Sequence, residues 1–144
     1  MKRILLVEDR EDDVLLLQMA IKDTPQPVAM EIVSDGEQAL HHLTKVLPTA
    51  NTKDSQVPDL VLLDVKLPRV DGHEVVKWIR QQMQFTAMPV IMLTSSDRRD
   101  DILRALSLGA NSYLVKTGDM GKFRESLQLL LKYWFDVNQK LPER

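Results

Sequence analysis

Hydrophobic residues run along the chain in two alternating rhythms. Short apolar runs at Arg3–Glu8, Val28–Val33, Asp59–Asp64, Pro89–Thr94 and Ser112–Val115 have the length and composition of strands. Helical spacing fills the intervals. Val14, Leu17 and Ile21 follow the first run, and a second helix spans about Gly36 to Leu47. A third opens at Gly72 and carries Val75, Val76, Ile79 and Met83; a fourth covers Asp100–Leu108 and stops at Gly109, a natural C-cap. Asp119 is placed to cap a fifth that reaches at least Trp134. Strands that are apolar on both faces and alternate with helices predict an α/β fold, with a parallel sheet covered on both sides. The polar, helix-poor stretch Pro48–Pro58 reads as a surface insertion before the third strand.

Composition narrows the chemistry. The 144 residues are one domain's worth, 44% apolar and 28% charged, enough for a core without staples. Cysteine is absent, which excludes disulfides, thiolate metal sites and a cysteine nucleophile, and fits a reducing cytoplasm. No run approaches a membrane span. The net charge of −2 and the scattered basic residues give no drive toward nucleic acid.

In open α/β sheets ligands bind beyond the carboxyl ends of the strands. Those ends supply Glu8 and Asp9, Asp64, Thr94 and Ser95, and Lys116; after the second strand Ser34-Asp35-Gly36 reads only as a turn. Three clustered carboxylates repel, by roughly 4 kcal/mol per pair at ~4 Å and an effective dielectric of about 20, and so call for a cation. With oxygen donors only, Mg²⁺ or Mn²⁺ is the natural choice. Such a metal attracts phosphate oxygens, Lys116 neutralises another, and the Thr94 hydroxyl donates to a third. Asp64 is then the best nucleophile available, and the implied reaction is phosphoryl transfer onto its carboxylate.

Four segments in this order and spacing, LLVEDREDD, LVLLDVKLPRVDG, PVIMLTSS and GANSYLVK, resemble the receiver domain of two-component response regulators over about residues 2–134. The resemblance implies a flavodoxin-like doubly wound (βα)5 fold with strand order 2-1-3-4-5. It implies Asp64 as phospho-acceptor, Asp9 and the Lys66 backbone carbonyl as direct metal ligands, and Glu8 acting on the metal through water. Thr94 and Lys116 are then phosphoryl contacts, Tyr113 the aromatic that changes rotamer with Thr94, and a sensor histidine kinase the donor. Pro68 and Gly72 match the loop after the acceptor. Lys66 and Ser96 are the positions that flank the water attacking the acyl phosphate.

Other readings fit less well. A flavin phosphate would meet Glu8 and Asp9 in the first loop, and no G-x-G-x-x-G is present. An aspartate-nucleophile phosphohydrolase carries D-x-D, whereas Lys66 stands at the second position. A relay intermediate or phosphate sink for a kinase shares the same acceptor chemistry. Glu11, Asp12 and Asp13 read as acids complementing a helix dipole; His41 and His42 read as a solvated face, and His73 as a non-catalytic neighbour of the site.

Receiver domain 1–134 and a helix extension with tail, 135–144, make up the expected organisation, with no separate output domain and signalling through protein contacts. Met120, Phe123, Leu127, Leu130, Leu131 and Trp134 form the stripe expected to cover the sheet. Leu129, Tyr133, Phe135 and Val137 are expected at a homodimer interface. The long loop before the acceptor strand, the YWF tail and Thr117, where proline is usual, resemble phytochrome-associated single-domain response regulators, which implies a light-responsive kinase. Because a non-proline cis bond costs about 3 kcal/mol, Lys116–Thr117 is expected to be trans, with Gly118 absorbing the altered turn.

Overall fold

Five strands alternate with five helices in the computed structural model, which describes residues 1–142. They are β1 (Lys2–Val7), α1 (Glu11–Lys22), β2 (Val28–Val33), α2 (Gly36–Val46), β3 (Leu60–Leu63), α3 (Gly72–Arg80), β4 (Val90–Thr94), α4 (Arg99–Leu108), β5 (Ser112–Val115) and α5 (Met120–Lys132). All strand pairs are parallel, in the order β2-β1-β3-β4-β5. Residues 143 and 144 of the expected tail lie outside the described residues.

Strand alternation divides the interior into two cores, one on each face of the sheet. Leu5, Val7, Val61, Leu63, Val90 and Met92 point to one face, where Ala39, Leu43, Val75, Val76, Ile79 and Ala105 of α2, α3 and α4 cover them. Ile4, Leu6, Leu60, Leu62, Ile91 and Leu93 point to the other, under Leu17, Ala20, Ile21, Phe123, Leu127 and Leu131 of α1 and α5. The central strands β3 and β4 are buried at every residue.

Local chemistry sets the helix ends. Asp35, Asp71 and Asp119 each accept a hydrogen bond from the backbone N–H three residues on, opening α2, α3 and α5. Gly109 ends α4 in the left-handed region at φ 111°. Arg80, on the last turn of α3, donates to the carbonyls of Gly109, Phe85 and Met88 and to Asn111 Oδ1, tying that end to β4 and β5.

Three expectations need correction. Met83 is not on α3: the helix ends at Arg80, and Met83 lies 87% exposed in a one-turn 3₁₀ helix that buries Phe85 instead. Met120 is 46% exposed at the mouth of α5, so the covering stripe starts at Phe123. The Pro48–Pro58 stretch is helix-poor as expected: one 3₁₀ turn, Leu47–Thr49, opens it, with the Thr49 hydroxyl bridging Val46 O and Gln56 N–H. Phe135, expected at an interface, is buried in the α1/α5 core because it follows Leu127 and Leu131 at four-residue steps. It sits in a π-helical turn, Tyr133–Val137, held to the α1–β2 loop by a Gln26–Asp136 hydrogen bond.

Candidate functional site

Strand register puts the site together. Val7 of β1 pairs with Leu63 of β3, and Thr94 of β4 pairs with Val115 of β5. Glu8, Asp64 and Lys116 are each the next residue beyond a paired strand end, so they emerge on one rim. The backbone continues the ladder there: Asp64 N–H donates to Val7 O at 3.1 Å and Lys116 N–H to Thr94 O at 2.8 Å.

Lys116 is the centre of this rim. Its Nζ donates to Glu8 Oε2 at 2.5 Å, to Asp13 Oδ2 at 2.9 Å and to Asp64 Oδ2 at 3.2 Å. Glu8 is 1% exposed and Asp64 7%. The other Glu8 oxygen accepts from Arg10 N–H at 3.1 Å, and Asp64 Oδ1 accepts from Lys66 N–H at 3.3 Å, so both carboxylates are held in orientation. Burial pushes the Glu8 carboxyl up to about 7, against the downward pull of Lys116. Burial opposes the Lys116 charge, but Glu8, Asp64 and Asp13 outweigh it and hold the ammonium above its ordinary range.

One ammonium thus faces more carboxylates than it can neutralise. Glu8, Asp9 and Asp64 each offer an oxygen, and these oxygens lie within 4.8 Å of one another. An all-oxygen set of that span suits a hard divalent cation. Asp9 is exposed on the open side.

The expected switch residues meet one loop. Thr94 is 1% exposed and its Oγ1 accepts from Ser96 N–H at 3.3 Å, while the Tyr113 hydroxyl donates to Ser96 O at 2.9 Å. Burial pushes the Tyr113 phenol above its ordinary value.

The loop after Asp64 is fixed by close backbone approach. A Cβ on Gly72 would stand 2.1 Å from Asp64 O, and one on Gly36 would stand 1.8 Å from Val70 O. Arg69, in the left-handed region at φ 71°, pairs with Asp35 and Glu37 at 3.5 and 3.6 Å. The turn at Ser34–Gly36 therefore seats the loop after Asp64 although it adds no group to the rim.

Past Lys116, every peptide bond among the described residues is trans, Lys116–Thr117 included. Gly118 does not take the role expected of it. It has no positive φ and a Cβ there would meet nothing within 4 Å. The turn is closed instead by the Thr117 hydroxyl, which donates to Asp119 O at 3.0 Å.

Asp13 is the residue the sequence reading missed. It stands in the first turn of α1 with Glu11 and Asp12, but it alone of the three reaches Lys116. No local signal separates it from Glu11 and Asp12, because its partner Lys116 arrives from the far end of β5. His41 and His42 lie on α2, exposed and half-buried. His73 is buried, and its Nε2 donates to Asp101 O at 3.1 Å across α3 and α4.

Comparison with known proteins agrees with this geometry. The profile of the response regulator receiver domain matches residues 4–128. The chain is 35% identical to the probable methanogenesis regulatory protein FilR2 of Methanothrix harundinacea over 94% of its own length and 85% of that protein's. It is 33% identical to response regulator Rcp1 of Synechocystis over 94% and 90%, and the manganese-bound Rcp1 structure superposes with TM-score 0.83 at 31% identity, covering 99% of this chain and all of that one. The phosphorylated cyanobacterial phytochrome response regulator RcpA superposes with TM-score 0.85 at 30% identity, covering 96% of each chain. Among the described residues no helix is long and apolar enough to cross a membrane. With its site at the strand ends and its sheet in this order, the chain belongs to the response regulator receiver domain family, and it is similar to response regulator Rcp1 and to the phytochrome response regulator RcpA.

Proposed function

We propose that the chain accepts a phosphoryl group on Asp64 from a phosphohistidine of a sensor histidine kinase and passes the change to partner proteins. The observation that carries this reading is the placement of Asp64, Glu8, Asp9 and Lys116 on one rim, with Thr94 at the end of the neighbouring strand. An Asp64 carboxylate oxygen attacks phosphorus, the donor P–N bond breaks, and its electron pair stays on the imidazole nitrogen. Lys66 N–H and Lys116 hold the carboxylate in place before transfer. Catalysis is mostly positioning and charge neutralisation.

Asp9, Asp64 and the Lys66 carbonyl, with Glu8 through water, would hold Mg²⁺ or Mn²⁺; the close carboxylate oxygens and the manganese-bound form of Rcp1 support this set. Bound there, the metal supplies positive charge opposite the transferring phosphoryl oxygens. On this chain, Lys116 is drawn from its acid partners toward the new phosphoryl group, and the Thr94 hydroxyl donates to it. Movement of Thr94 changes the loop that Tyr113 grips, and with it the surface of α4, β5 and α5. The protein is then a signalling acceptor, with slow hydrolysis of its own acyl phosphate returning it to rest.

The likeness to the phytochrome response regulator RcpA supports a phytochrome as the kinase. Leu129, Tyr133 and Val137 lie at four-residue steps and are 69%, 48% and 63% exposed, which supports a homodimer built on that row. The test is phosphotransfer from a phytochrome kinase loaded with radiolabelled phosphate on histidine, followed in red and far-red light. Label moving to the wild-type chain but not to Asp64→Asn is the expected result; equal labelling of both would reject the assignment.

A further inference from the structure

Ser96 is buried beside the acceptor rim, and each of its polar groups is engaged by a different partner. Its N–H donates to Thr94 Oγ1 at 3.3 Å, its carbonyl accepts the Tyr113 hydroxyl at 2.9 Å, and its own hydroxyl donates to Asp101 Oδ2 at 2.5 Å. Strand β4, strand β5 and helix α4 therefore all hold one residue.

Asp101 is itself anchored. Its backbone carbonyl accepts from His73 Nε2 at 3.1 Å, and His73 is 3% exposed on the first turn of α3, next to the Gly72 that packs on Asp64 O. A chain of contacts thus runs from the acceptor strand through α3 to α4 and back to the loop after Thr94.

An acid in the first turn of a helix also complements the helix dipole. Asp100 supplies the same charge one residue earlier and makes no side-chain hydrogen bond among the described residues. Of the two carboxylates only that of Asp101 bonds Ser96, and this bond holds it below the usual carboxylate range. A dipole role would be shared by the two acids; a role through Ser96 belongs to one.

Movement of Thr94 toward a phosphoryl group on Asp64, as proposed above, carries the loop that starts with it, and Ser96 is pinned to α4 only two residues on. We propose that Asp101 is a positioning residue: by holding the Ser96 hydroxyl it keeps the Thr94–Ser96 loop in its phosphoryl-free place, and releasing it favours the state in which Thr94 engages the phosphoryl group. This rests on Asp64 being the acceptor.

The test uses beryllofluoride with Mg²⁺ as the phosphoryl analogue, titrated calorimetrically into the full chain. A ligand's apparent affinity rises with the population of the competent state, and loss of a charge-assisted hydrogen bond is large enough to tighten binding roughly threefold to tenfold. Asp101→Ala and Ser96→Ala are each expected to tighten binding by that factor, and the double variant no further. Asp101→Asn falls between, and Asp100→Ala binds as wild type. Unchanged affinity in Asp101→Ala, or additive changes in the double variant, overturns the proposal. Should Asp101→Ala fail to fold, Ser96→Ala carries the same expected change. Wild type that binds no beryllofluoride rejects the acceptor assignment and the clasp with it; wild type that binds, with variants unchanged, rejects the clasp alone.

Discussion

The Lys116 ammonium stands between Glu8 and Asp64, 2.5 Å from one carboxylate and 3.2 Å from the other, although the three residues leave three different strands. Its side chain is 13% exposed, so the charges meet largely out of water. Removing one partner of such a group leaves uncompensated charge. Lys116→Ala should therefore lower stability by about 3 kcal/mol in EDTA, read by urea unfolding. Added Mg²⁺ should recover part of the loss, because it replaces positive charge among the same acids.

Glu8 gives that stability a pH dependence. Its folded value of about 7 lies above its ordinary 4.5. Between those values the folded chain holds a proton that the unfolded chain lacks, so its stabilising contribution is complete below the lower value and lost as pH rises through the upper. The urea midpoint of metal-free wild type should exceed its own value at about pH 8 when measured at about pH 5 by more than Glu8→Gln shows over the same range. Because protons compete with the metal for Glu8, Mg²⁺ affinity should rise over that window and level off above it. A wild-type midpoint parallel to that of Glu8→Gln would contradict the shift.

Backbone approach makes a different prediction for each glycine. Alanine at Gly72 or Gly36 would drive a methyl group into the Asp64 or Val70 carbonyl, at a cost of about 2 kcal/mol or more. Alanine at Gly118 meets open space and should change stability by less than about 0.5 kcal/mol. Thermal unfolding of the three variants separates these cases.

Two aromatic residues of the tail should part company. Phe135→Ala opens a cavity in the α1/α5 core and should cost about 3 kcal/mol of stability. Tyr133→Ala and Leu129→Ala remove exposed groups and should leave unfolding within about 0.5 kcal/mol of wild type. Light scattering at high micromolar concentration should show those two variants less dimeric; a wild type that stays monomeric with and without phosphorylation would reject the proposed dimer.

The strand ends were readable from sequence because chemistry there breaks an otherwise apolar pattern: a carboxylate or an ammonium directly after a buried strand has no packing role. Tertiary partners were harder to read. Asp13 looks like any acid at a helix start until β5 brings Lys116 beside it. Arg80 reads as a solvated helix end, yet it satisfies three carbonyls from separate turns. Phe135 could have been placed by its step from Leu131, but the change from α- to π-helical turns leaves no mark on the sequence. Gly118 invited the wrong inference, since the hydroxyl of the neighbouring Thr117 does the work that glycine's freedom was expected to do.

The acceptor claim is tested most directly by intact mass after incubation with acetyl phosphate and Mg²⁺. A phosphoryl-mass adduct on wild type that EDTA abolishes and Asp64→Asn lacks is the predicted result. An undiminished adduct on Asp64→Asn, or none on wild type, would contradict it.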